Sequence, residues 1–190
     1  MRAVYALRHM LFRVTALFAQ AGAAIRAADD PAATEALAER LLDDYGTNIL
    51  RLAYSYLHNG ADAEEIVSDT LIRYMSSAPA FESTNHEKAW LLKVASNLCK
   101  NRLDYNRYRR TDELSETIAA DDREDLSFVW DAVRELDVRY REVIHLHYYE
   151  GYSTAEIGAI LGLNESTVRS RLMRGRKQLK GVLKEAYDFD

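Results

Sequence analysis

From about Glu35 the apolar positions Leu37, Leu41, Tyr45, Ile49, Leu52 and Tyr56 recur at intervals of three and four up to a break at His58-Asn59-Gly60, the spacing of one face of an α-helix. A second helix is predicted from Asp62, with Ile66, Val67, Thr70, Leu71 and Tyr74 on its buried stripe and Glu64, Glu65, Ser68 and Asp69 outside. Residues 76–87, which hold Pro79, Ser83, Thr84 and Asn85, read as a loop. A third helix is predicted from about Glu87 to Arg107. Its apolar side is Leu91, Val94, Ala95 and Leu98, and its opposite side is Lys93, Asn97, Lys100, Asn101, Asp104 and Arg107. Large apolar residues thin out over 111–125, and the helical spacing restarts with Leu126, Val129, Trp130, Val133 and Leu136. Asp137 then caps a helix that carries Tyr140, Val143, Ile144 and His147 and stops at Glu150-Gly151.

The densest local signals lie in residues 152–180. Ser153 with Glu156 forms a capping box, followed by Ile157, Ile160 and Leu161 at helical spacing. Gly162 supplies the stop, Leu163 points back into the hairpin, and Asn164 caps a new helix from Glu165. On that helix Val168, Leu172 and Leu179 form a packed stripe, while Thr167, Ser170, Arg171, Arg174 and Lys177 lie on a free side. Two helices joined by a turn of about three residues make a helix-turn-helix. The expected fold class is all-α, with two small helical domains at 35–110 and 126–186. A flexible linker at 111–125 joins them, and the second domain has four helices. Residues 1–34 are expected to be a poorly ordered extension without an assigned function.

Composition supports this outline. The 190 residues suffice for two small cores, and two prolines, eight glycines and no sustained alternation favour helices throughout. One cysteine, Cys99, excludes an internal disulfide framework and a multi-cysteine zinc site, and suits a reducing cytoplasm. His145 and His147 point about 200° apart on a helix and cannot chelate one metal together. No uncharged apolar run reaches the roughly eighteen residues of a membrane span.

Charge changes the picture more. The chain totals −5, yet residues 165–180 hold six basic residues against one acidic, and residues 88–110 seven against one. Local excesses that oppose the overall sign point to phosphate. Asparagines and cations share a ridge with Trp90, Tyr105 and Tyr108 interleaved, a composition suited to base edges and unstacked bases. Residues 111–125 hold seven acids and one arginine, and read either as a segment that competes with DNA for the basic segments or as a soluble tether that its charge keeps extended. A catalytic reading finds no paired acid and base with a nucleophile, no Gly-rich phosphate loop and no metal spacing. A stand-alone helix-turn-helix regulator with a sensing or dimerisation domain remains the alternative.

Three stretches, DAEEIVSDTLIRY (62–74), AWLLKVASNLCKNRLDYNRYRR (89–110) and YREVIHLHYYEGYSTAEIGAILGLNESTVRSRLMRGRKQL (140–179), resemble in order and separation the extracytoplasmic-function sigma factors of bacterial RNA polymerase. The resemblance implies a promoter-specificity factor without catalysis or cofactor, acting in the cytoplasm. Its implied partners are core polymerase, promoter DNA and an anti-sigma factor. It implies that Asp62, Glu65 and Asp69 dock on the polymerase clamp, and that Asn97, Lys100, Asn101 and Arg107 read the −10 element. The loop from Phe81 to Lys88 would capture a flipped base. Ser166, Thr167, Ser170, Arg171 and Arg174 would read the −35 element. Ser68, Leu71, Val138 and Ser166 stand where the family commonly has glutamine, an aromatic, proline and glycine.

Overall fold

The computed structural model describes residues 31–77, 79–109 and 132–187, and every regular element among them is helical. The acidic linker and most of the N-terminal extension expected from the sequence lie outside the described residues. Residues 31–34 instead open the first helix, α1 (Pro31–Leu41), upstream of the expected start at Glu35.

α1 runs through a π-helical turn, Leu42–Gly46, into α2 (Thr47–Leu57). Leu41, Leu42, Tyr45, Ile49, Leu52 and Tyr56 are all buried along this rod. The wide turn leaves no mark on the apolar spacing, which continues through it in the α period. The rod stops at His58, which adopts the left-handed conformation (φ 52°) and donates its N–H to Tyr54 O at 3.0 Å. Asn59 then caps the next helix, α3 (Gly60–Ser77), by accepting from Asp62 N at 3.1 Å, so the helix begins ahead of Asp62. The whole expected stripe of α3 is buried.

α4 (Thr84–Arg109) starts earlier than expected because Ser83 Oγ accepts from His86 N at 3.1 Å. α2, α3 and α4 pack on one another around Leu52, Ile66, Leu71, Leu91, Ala95 and Cys99. Glu87 sits buried in the first turn of α4. Its carboxylate accepts from Arg40 at 2.9 Å, from Tyr45 at 2.6 Å and from Tyr74.

The first of the four helices expected after the linker is described only from residue 132; residues 132–134 are helical, and the chain turns at Glu135 and Leu136. α5 (Val138–Ile144) is capped by Asp137, as its sequence predicts, and continues through a second π-helical turn, His145–Tyr149. α6 (Thr154–Leu161) and α7 (Glu165–Tyr187) follow. α5 and α7 cross at Gly175, where a Cβ would stand 2.9 Å from Ile144 Cδ1. The two groups of helices also pack against each other, α2 on α5 and α4 on α6.

Candidate nucleic-acid interface

The helix-turn-helix forms as its local chemistry dictates. Ser153 and Glu156 complete the capping box, and Gly162 takes the left-handed conformation (φ 68°). Asn164 Oδ1 accepts from Thr167 N at 2.8 Å. The turn lies so close over α6 that a Cβ on Gly158 would be 2.7 Å from Leu163 O, so only glycine fits there without movement. Val168 and Leu172 are buried and Leu179 packs on the core, which aims the opposite side of α7 outward.

That side is one open cleft of about 300 Å³, lined by Ser166, Thr167, Ser170, Arg171 and Arg174 together with Arg139 and Tyr140. All five residues expected on α7 come together. Arg139 was missed, although its place on the first turn after the Asp137 cap aims it toward α7. Its guanidinium lies 4.9 Å from the Tyr140 ring centroid. Three arginines around a concave surface can hold phosphates and reach base edges.

The expectation of a free side does not hold for Arg171. Its Nη1 lies 2.6 Å from Oε1 of Glu142, which is only 2% exposed. On α4, Asn97, Asn101 and Arg107 are exposed as expected, but Lys100 Nζ lies 3.2 Å from Oε2 of the same Glu142. No local signal pointed to Glu142, because a glutamate on a short helix is ordinarily a solvated residue.

Beside the N-terminus of α4, Phe81 stacks on Tyr74 at 5.7 Å and meets His86 and Trp90 edge-on at 5.4 and 5.9 Å. This aromatic corner occupies the loop singled out for base capture. The acidic residues of α3 also gather: Arg102 binds Asp62 at 3.1 Å and Glu65 at 2.6 Å. Burial, and then the neighbouring Glu65, raise the Asp69 carboxyl above its ordinary range. Arg102, one of the seven basic residues of 88–110, thus organises the acid patch. His145 is buried against Glu150 at 3.4 Å, and His147 Nδ1 lies 2.9 Å from Tyr152 O, so the two rings serve separate contacts. No helix among the described residues is long and apolar enough to cross a membrane.

Residues 41–109 match the family model of Sigma-70 region 2, and residues 129–179 that of Sigma-70, region 4. The chain is 32% identical over 164 residues to the ECF RNA polymerase sigma factor SigL of Mycobacterium tuberculosis, covering 81% of this chain and 93% of that one. It is 29% identical over 154 residues to the RNA polymerase sigma factor SigV of Bacillus subtilis, covering 77% and 91%. Among solved structures it resembles the sigma factor RpoE of Bartonella quintana in complex with the anti-sigma factor NepR. The TM-score there is 0.66 and the identity 26%, over 78% of this chain and 96% of that one.

Proposed function

The chain belongs to the extracytoplasmic-function sigma factors of the sigma-70 family, which direct RNA polymerase to promoters, and on that footing we propose how its polar faces divide the work. Region 2 spans residues 35–110 and region 4 spans residues 126–186. The acid patch of α3, Asp62, Glu65 and Asp69, docks on core polymerase. Asn97, Lys100, Asn101 and Arg107 on α4 read the −10 element, and the aromatic corner around Phe81 receives a base unstacked during melting. Ser166, Thr167, Ser170, Arg171 and Arg174 on α7 read the −35 element from the major groove. Phosphate contacts from both basic segments set register, and a bidentate arginine on guanine contributes about 1–3 kcal/mol of discrimination. The protein carries out no reaction of its own and works in the cytoplasm beside the polymerase. The RpoE neighbour is a complex with an anti-sigma factor, and a partner of that class is assigned to this chain.

The observation that carries this reading is the cleft on α7, where the five expected side chains and Arg139 share one open cationic surface. The test is to mix the purified chain with core polymerase and a promoter library and to sequence the initiated transcripts. Transcripts that require both the chain and core, and that share two upstream elements, are expected. Tight binding to one duplex without polymerase, with no transcripts, would move the protein to the stand-alone regulators.

A further inference from the structure

We propose that the arginine-rich N-terminal segment of the chain docks on an acid-rimmed groove between the start of α5 and the C-terminal half of α7. The groove encloses about 450 Å³. Leu136, Tyr140 and Val182 form its floor, and Glu135, Asp137 and Glu185 stand on its rim. Leu136 and Tyr140 are buried, whereas Val182 is only partly so. Asp137 holds the one cation that lines the groove, Arg139, at 3.4 Å. Glu135 and Glu185 are exposed and pair with no cation among the described residues. An apolar floor with an acidic rim fits a helix that is apolar along one seam and cationic on either side of it.

Residues 1–28 have that composition: Arg2, Arg8, Arg13 and Arg26, and no acid. Val4, Leu7, Leu11, Val14 and Phe18 recur at alternating intervals of three and four, the spacing of a narrow helical seam. At about 100° per residue, Arg8 and Arg13 fall roughly 80° and 140° from that seam, on opposite sides of it. Both can therefore meet acids on the two walls while the apolar side chains face the floor. Residues 19–30 join the seam to Pro31 and can span up to about 40 Å, enough to cross a folded body of this size. Such a tether holds the segment at an effective concentration on the order of millimolar, so even a weak seat is filled. The acid patch of α3 competes poorly for it, because Arg102 already supplies the counter-charge there. Arg139 and Tyr140 line both this groove and the α7 cleft, so the seated segment lies beside that cleft and its arginines compete with Arg139 for Asp137.

Hydrogen–deuterium exchange of the full chain, read by mass spectrometry at residues 135–140 and 178–185, tests the docking. Wild type is compared with Arg8→Glu plus Arg13→Glu, with Glu135→Arg plus Glu185→Arg, and with all four substitutions together. Asp137 is left in place because it caps α5. Circular dichroism first shows that each variant is folded. Either pair alone is expected to speed exchange in the groove about tenfold, as a tethered contact is lost, and the four together to restore protection. Restoration separates docking from simple damage to α7, which a second charge reversal far away in sequence would not repair. Equal exchange in wild type and the Arg8, Arg13 variant overturns the proposal. Exchange that stays fast in the fourfold variant also overturns it. A loss of protection at residues 62–69 in place of the groove would assign the segment to α3 and overturn it too. The measurement uses neither polymerase nor DNA, so its outcome is independent of the promoter assignments.

Discussion

Arg171 and Arg174 stand one turn apart on α7 and line the same cleft, but their surroundings differ. Arg174 is exposed, whereas Arg171 gives its guanidinium to a buried carboxylate. Arg174→Ala is therefore expected to weaken promoter-specific initiation by about 5- to 150-fold, the worth of a 1–3 kcal/mol base contact. Its unfolding temperature should stay near wild type, since exposed substitutions cost about 0.5 kcal/mol or less. Arg171→Ala should lose initiation and also unfold at a lower temperature, because it strips one partner from Glu142. Transcription with core polymerase and thermal unfolding, run side by side, check the pair. Equal unfolding temperatures for the two variants would contradict this account.

At the scale of the helix, α3 and α4 each carry a polar feature with a distinct task. The outer face of α3 is held by Arg102, and the Glu65 side chain in that pair is half exposed, so the pairing is worth about 1 kcal/mol or less to the fold. Glu65→Lys with Asp69→Lys is expected to abolish co-elution with core polymerase while leaving the circular dichroism spectrum intact. Retained co-elution would remove the docking role. The first turn of α4 is structural instead. Hydrogen bonding from Arg40 foremost, against the opposing pull of burial and aided by Tyr45 and Tyr74, holds the Glu87 carboxyl down at about 2, below its ordinary 4.5. A depressed carboxylate contributes stability that is complete above pH about 4.5 and is lost as pH falls through about 2, at most on the order of 3 kcal/mol for such a shift. Unfolding temperature should therefore be flat above pH about 5 and fall below pH about 4. Glu87→Gln should be less stable at neutral pH and show a shallower acid slope. The slope should not vanish, because Glu150 is also held at about 2, by His145 and Lys88 against burial. An unchanged slope would exclude Glu87 as a source of acid sensitivity.

Over the whole molecule the charges are sorted rather than balanced: basic residues at 88–110 and 165–180, and acids at 111–125 between them in sequence. Charges closer together than the Debye length, about 8–10 Å near physiological salt, attract without full screening, and the sequence joins this acidic run directly to the basic segment that ends at residue 110. Replacing Asp112, Glu113, Glu116, Asp121 and Asp122 with Asn or Gln at unchanged length is expected to tighten binding to random duplex DNA at low salt. The gap should close as salt rises. Identical salt titrations for the two proteins would reduce the segment to a tether.

Much of this protein was legible in residue order because it depends on neighbours three or four positions apart. The stripes of α2, α3 and α4, the Ser153–Glu156 box, the Gly162 stop and the Asn164 cap are all local agreements between backbone geometry and side-chain type, and they determined the helices and the helix-turn-helix. The sorting of charge and the family motifs were equally readable. What lay beyond the sequence depends on how the helices meet. The π-helical turns at 42–46 and 145–149 leave the apolar spacing undisturbed, so nothing local announces them. Arg40 reaches Glu87, Asn48 reaches Glu150 and Tyr56 reaches Glu142 across 47, 102 and 86 positions. A charge becomes a structural residue only when packing removes its water and supplies its counter-charge, and that is decided by the crossing of α2, α4, α5 and α7, not by any one of them alone.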